Sequence, residues 1–181
     1  YTLISAFITG SFMVYLSTSQ QVFELQYGLS EEFPYIFAGL AISVGLATFL
    51  NGTWVLKFGM RRMVNWSMIT FLIISLVYEI LYYGKPNPPI EILLGFFGLQ
   101  FFAIGFLFGN LRSLAMQPVG HIAGIAAAIT GFISTILAVP ISAIIGKFIT
   151  TTATPLFIGF FVLSLFSIGI LLYLKALKKE L

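Results

Sequence analysis

Cysteine and aspartate are absent from the 181 residues, and histidine occurs once. Without a thiol, an Asp or a second His, the chain lacks the members of Ser-His-Asp, Cys-His and zinc-type ligand sets. It also has no nucleophile elbow and no phosphate loop. The sequence therefore predicts neither an enzyme nor a cofactor or metal site. Charge is scarce as well: 8% of residues are charged, against 59% hydrophobic and a mean hydropathy of +1.05. That leaves too little polar surface to solvate a globule of this size. The pI near 9.2 does not signal nucleic-acid binding, because the nine Lys and Arg are spread among loops instead of forming a patch. The missing cysteine is silent about redox compartment, since membrane proteins of either compartment can lack it.

What remains is long apolar runs. A bilayer core of roughly 30 Å needs about 20 helical residues at about 1.5 Å each. Six runs qualify, at 2–19, 34–55, 64–83, 90–109, 122–146 and 155–174, and only Glu79 and Glu91 among charged residues fall inside them. Helices are expected, because backbone groups in hydrocarbon must pair within the segment and no strand-like alternation is present. Lys57, Arg61, Arg62, Arg112, Lys175, Lys178 and Lys179 fall on one side of this layout. Lys85 and Lys147 fall on the other, with Glu24, Glu31, Glu32 and Glu91. The positive-inside rule then places both ends of the segment in the cytoplasm. The first residue is Tyr, with no signal-peptide pattern, so a fragment is expected. Short connections make it one bundle.

The stretch Asn51-Gly52-Thr53-Trp54-Val55-Leu56-Lys57-Phe58-Gly59-Met60-Arg61-Arg62 reads physically as a helix break at Gly52 followed by a basic anchor on the cytoplasmic surface. Its spacing, Gly52 then Lys57, Gly59 and the Arg61-Arg62 pair, resembles the signature loop of the major facilitator superfamily. Tyr15-Leu16-Ser17 with Tyr27-Gly28-Leu29-Ser30, and Gly109-Asn110 with Pro118-Val119-Gly120-His121-Ile122-Ala123-Gly124, are similar to the C-terminal half of bicyclomycin-resistance-type drug/proton antiporters. The chain departs from that pattern at Leu56, where the family has an acid, at Met60, where it has a base, at Gly109 in place of Pro, and at Arg112. These departures bear on gating contacts more than on fold.

The resemblance implies an all-α membrane protein, a six-transmembrane-helix bundle made of two inverted three-helix repeats, half of a twelve-helix transporter. It implies a missing N-terminal six-helix half as partner, a small-molecule substrate, the proton as coupling ion, and residence among the lipids of a bacterial cytoplasmic membrane. The internal repeat itself is faint in sequence, carried by Lys57-Phe58 and Lys147-Phe148.

In the family plan spans one, two, four and five line the cavity. Tyr15, Ser17 and Gln20 of span one, Gln100 of span four and Ser134 of span five are the cavity candidates. A polar group in lipid is costly unless it faces water or protein. Ser17 to Gln21 either point inward or cap the helix at the interface. Gln100 either faces the cavity, meeting Tyr15 across it, or bonds between helices without touching substrate. Gly52, Lys57, Gly59, Arg61, Arg62 and Arg112 are the gating and cytoplasmic-loop candidates, with Arg112 alternatively a plain anchor. Glu24, Glu79 and His121 are the proton-linked candidates. Glu79 lies on a peripheral span from which it can snorkel, and His121 sits in a turn where helix capping competes with titration. Gly105 with Gly109, and Ala123, Ala127 and Gly131, are spaced for close helix packing. Pro140 should bend span five, for rocking or as a static kink.

The expected function is half of a proton-coupled multidrug exporter working by alternating access. The alternative, from a different class, is a six-span scaffold or assembly partner that carries nothing.

Overall fold

A computed structural model describes residues 1–180, with side chains through Leu177. Six α-helices run in order: α1 Thr2–Gln20, α2 Phe33–Phe58, α3 Met60–Tyr82, α4 Ile90–Met116, α5 Ala123–Gly146 and α6 Thr154–Glu180. A π-helical turn, Gln21–Gln26, prolongs α1, and a 3-10 turn, Gln117–Ile122, joins α4 to α5. Five continuous helical stretches are long and apolar enough to cross a membrane, which makes the chain a multi-pass membrane protein. The longest, Ile90–Gly146, has 57 residues. Unbroken it would reach about 85 Å, nearly three bilayer cores. It breaks at Pro118 and Val119, the latter at φ −123° and ψ 31°. Proline removes a backbone donor there and crowds the preceding turn.

The helices overrun several expected ends. Gly52 does not break α2, which continues through it to Phe58. The reversal comes at Gly59, whose φ of +80° lies where only glycine is unstrained. Arg61 and Arg62 thus belong to the first turn of α3 rather than to a loop. Asn110 and Arg112 likewise lie inside α4. An apolar helix has no local signal to stop it until a glycine or proline intervenes.

Side-chain contacts fix the sense of each helix. α1 and α5 run parallel: Thr2 meets Ser134, Ser17 meets Ser142, and Gln21 meets Ile149. α2 and α4 also run parallel, through Thr48 with Gly105 and Asn51 with Asn110. α1 and α4 are antiparallel, as Phe12 touches Phe108 while Phe23 touches Phe97. α3 is antiparallel to α4 through Ser75–Gln100 and Tyr78–Phe96, and to α6 through Phe71–Phe160 and Tyr78–Phe157. So α1, α3 and α5 point one way and α2, α4 and α6 the other, and the two triplets run in opposite senses.

The principal packed pairs are α1 with α5, α4 with α2, α3 with α4, α6 with α1, α3 with α6, and α1 with α4. Exchanging α1 with α4, α2 with α5 and α3 with α6 returns the same set. The correspondence reaches single residues. Gly10 on α1 lies against Ala138 of α5, and Gly105 on α4 lies against Ala47 of α2. Farther along, Ser17 and Ser142 sit 3.3 Å apart where the other crossing has Asn110 bonded to Asn51 at 2.7 Å.

α1 and α4 form the centre, backed by α3 and α6. The filling is aromatic: Phe23, Phe71, Tyr78, Phe97, Phe101, Phe157 and Phe160 are all fully buried. α2 and α5 flank this core and are nearly bare. α2 buries only Leu40 and Ala47, and α5 buries only Ala126, Ser134, Ala138 and Ser142.

Candidate functional site

The two ends of the bundle differ in chemistry. At the end carrying Lys57, Arg61, Arg62, Arg112 and Lys175, clefts open beside Tyr1, one of them lined by both Arg61 and Lys175. At the opposite end the three connections are tied together. Asn87 is the knot: its Nδ2 donates to Gln26 Oε1 at 2.8 Å, and its Oδ1 accepts from the Ala153 amide at 2.8 Å. Gln21 Nε2 donates to the Ile149 carbonyl at 2.7 Å, and the Tyr27 hydroxyl donates to the Pro88 carbonyl at 2.7 Å. Burial, with the nearby Tyr82 adding to it, pushes the Tyr27 phenol up to about 12, so it remains a donor across the physiological range.

Between these ends, the α1–α4 seam carries the candidate site. The Tyr15 ring is buried against Phe101, with centroids 4.4 Å apart, Phe97 at 5.2 Å and Phe37 of α2 at 6.1 Å. Its hydroxyl has no hydrogen-bond partner among the described residues, nor has that of Thr9. A buried hydroxyl without a partner is costly unless water or another group reaches it. Toward the basic end a cavity of about 140 Å³ opens between α1, α4 and α5, lined by Thr2, Ser5, Arg112, Thr130 and Ser134 among others. Thr130 and Ser134 donate their hydroxyl protons to backbone carbonyls, which leaves Thr2, Ser5 and Arg112 as the donors lining a cavity with no carboxylate, suited to an acceptor group or to water.

Each cavity candidate now has a place. Ser17 bonds the Val14 carbonyl at 3.1 Å and Ser142 at 3.3 Å, joining α1 to α5. Gln20 is exposed and donates to Glu24 at 3.0 Å. Ser134 is buried, 3.5 Å from the Thr2 carbonyl, at the rim of the hydroxyl cavity. Gln100 is fully buried, and its amide donates to Ser75 at 2.6 Å and to the Phe71 carbonyl at 3.3 Å. Both partners are on α3, so Gln100 turns away from the flanking helices. The expected meeting of Gln100 with Tyr15 does not occur: Tyr15 is walled in by phenylalanine rings, and Gln100 acts as an interhelical bond.

Among the loop candidates, Gly52 is exposed within α2, Lys57 lies 5.3 Å over the Phe58 ring, and Gly59 makes the turn. Arg62 is exposed and Arg61 lines the terminal clefts. Arg112 is exposed at the mouth of the hydroxyl cavity. Of the proton-linked candidates, Glu24 sits half-buried in the π-helical turn and Glu79 half-buried on α3 with Oε1 unpartnered among the described residues. His121 is exposed in the 3-10 turn, and α5 begins at Ala123 with Ile122 at its N-cap and no side-chain capping bond; the capping role expected for His121 is not filled.

Among the three glycines of the small-residue set, the spacing argument holds at one. A Cβ at Gly105 would lie 2.6 Å from Ala47 Cβ, whereas at Gly109 the nearest atom is 4.0 Å away and at Gly131 nothing lies within 4 Å. Sequence reasoning missed Gly10, Asn51, Asn87 and the aromatic seam of Phe12, Phe37, Phe97 and Phe101. A weak signal existed for the seam, in the four-residue spacing of Phe97 and Phe101. Nothing local marked Asn87.

The chain matches no protein-family model, no curated protein and no solved structure.

Proposed function

We propose that this chain is one half of a secondary active transporter, a six-span unit that moves small amphipathic molecules across a bacterial cytoplasmic membrane by alternating access. The observation that carries this reading is the exchange symmetry of the helix pairs, with two triplets running in opposite senses. Inverted repeats of this kind are a recurring plan of secondary transporters, whose substrate sites lie at repeat interfaces near the midplane. The bare outer surfaces of α2 and α5 support a second six-helix half packing against this one. The resemblance of Gly52 to Arg62 to the facilitator signature loop supports the superfamily, and the stretches Tyr15-Leu16-Ser17 with Tyr27-Gly28-Leu29-Ser30 and Gly109-Asn110 with Pro118 to Gly124 favour the drug-exporting, proton-coupled type, with both ends of the segment cytoplasmic. α1, α2, α4 and α5 carry no carboxylate near mid-membrane, so the partner half supplies the coupling acid.

Substrate in this reading passes along the outer face of α1, by Thr9 and Gln20, with Ser134 and Arg112 at the cytoplasmic mouth and Tyr15 held behind it among the phenylalanine rings. The chain has no native cysteine, so single cysteines test the path directly. In membranes holding the full-length transporter, a water-soluble maleimide should label cysteines at Thr9, Gln20 and Thr130 and spare one at Gln100. Complete protection of Thr9, Gln20 and Thr130, with loop controls labelled, would turn the reading toward a closed bundle that transports nothing.

A further inference from the structure

The internal symmetry pairs two grooves on the outer wall. One lies where the C-terminal part of α2 meets the start of α3, the other where the C-terminal part of α5 meets the start of α6. Ala47 and Asn51 correspond to Ala138 and Ser142 through their crossings, so three residues on, Trp54 corresponds to Ile145. Along the third helices the buried positions Ser67, Met68, Phe71 and Ser75 recur as Gly159, Phe160, Leu163 and Ser167. The residue before each run therefore pairs Trp66 with Ile158.

The consequence is in the volumes. In the first groove Trp54 stacks on Phe106 at 5.5 Å and Trp66 meets Phe58 edge-on at 5.3 Å, leaving about 160 Å³. In the second, isoleucines stand in for both tryptophans and Gly159 for Ser67, and about 610 Å³ stays open. Gly159 forms the floor, where a Cβ would come within 2.8 Å of Ile145 Cδ1. The walls are Ile141, Ile144, Phe148, Ile158 and Val162.

We propose that this α5–α6 groove binds one acyl chain of an anionic phospholipid, with Lys147 at its mouth holding the lipid phosphate. The lining offers almost no polar group, so water has nothing to bond there. The volume is that of sites holding a small ligand, about 300–1,000 Å³. Lys147 is exposed and directly precedes Phe148, a wall residue. Among the described residues only Lys85 shares its charge at this end, where Glu24, Glu31, Glu32 and Glu91 repel phosphate elsewhere. A chain lodged in the groove touches protein on several sides, whereas one on a flat helix face touches it on one. The site requires only that the helices lie in a bilayer, and it stands or falls independently of transport.

The reciprocal substitutions make the test. Full-length protein reconstituted with phosphatidylglycerol is extracted in mild detergent, and retained lipids are counted by native mass spectrometry. Wild type should keep one more phosphatidylglycerol than Ile158→Trp, which copies the plug of the other groove. Ile144→Trp should lose the same lipid from the opposite wall, so a folding defect in either variant alone does not decide the matter. Trp66→Ile should open the sister groove and gain a lipid. Lys147→Gln should lower retention about fivefold, the share expected for one cation at a membrane surface. Equal lipid counts in wild type and both tryptophan variants would overturn the proposal, as would a second protein chain in place of lipid, released by the same substitutions.

Discussion

Gly10 and Gly105 occupy corresponding crossings but differ in what surrounds them. A Cβ at Gly105 would fall 2.6 Å from Ala47 Cβ and 2.7 Å from the Val44 carbonyl, which is backbone and cannot step aside. At Gly10 the nearest atoms are Ile141 Cγ2 at 3.0 Å and Cβ at 3.3 Å, with the Ala138 backbone at 3.5 Å, so a shift of a few tenths of an ångström makes room. Gly105→Ala should therefore push α2 off α4 and lower stability by about 1–3 kcal/mol, the usual range for overpacking. Gly10→Ala should cost less than about 1 kcal/mol, because alanine's better helix propensity offsets part of the strain. Thermal unfolding of both variants in one detergent checks the pair, and equal midpoints would mean that the α2–α4 crossing yields as easily as the α1–α5 crossing.

Among the elements, the connections at the end opposite the basic residues are tied by side-chain hydrogen bonds in addition to the packing of Phe23, Tyr78 and Phe157 beneath them. Asn87 bridges the α1–α2 and α5–α6 connections from its place between α3 and α4, with both bonds at 2.8 Å. Each such bond contributes about 0.5–1.5 kcal/mol net, so Asn87→Ala should cost about 2 kcal/mol. Amide exchange should rise at Ala153, whose N–H loses its acceptor, while the α1–α4 seam stays protected. No change at Ala153 would show that the knot is redundant. This element-level detail is where the sequence was hardest to read. Six apolar helices follow from hydropathy and from the requirement to pair backbone groups in hydrocarbon, and they are present with their order intact. Their ends do not follow in the same way: Gly52 reads as a breaker, yet a glycine flanked by helix-compatible residues stays helical, and Gly59 with its positive φ makes the turn instead. Gln100 was legible as a polar group that needs a partner, but which side of α4 supplies it depends on the placement of α3, which no local pattern encodes. Asn87 sits among prolines and looks like any turn residue; its role exists only once residues far apart in sequence meet.

At the scale of the whole molecule, symmetry and charge give separate handles on the fold. The exchange of α1, α2, α3 with α4, α5, α6 is visible in which helices touch, while the sequences of the two triplets share little, because apolar packing tolerates many side chains so long as small residues stay at the crossings. Charge breaks that symmetry. The helix senses gather Lys57, Arg61, Arg62, Arg112 and Lys175 at one end and leave Lys85 and Lys147 among the acids at the other. Lys and Arg near span ends set orientation, so the basic end should face the cytoplasm. Single cysteines at Ser30, Gly84 and Thr151 should then react with an impermeant maleimide added to intact cells, while cysteines at Arg62, Gln117 and Lys175 should react only after the membrane is opened. The six sites sample every connection and the last helix, so they also count crossings. If Gln117 reacted from outside while Arg62 and Lys175 did not, the turn between α4 and α5 would lie on the outer side. The second triplet would then no longer invert the first, and the transporter reading would lose its structural basis.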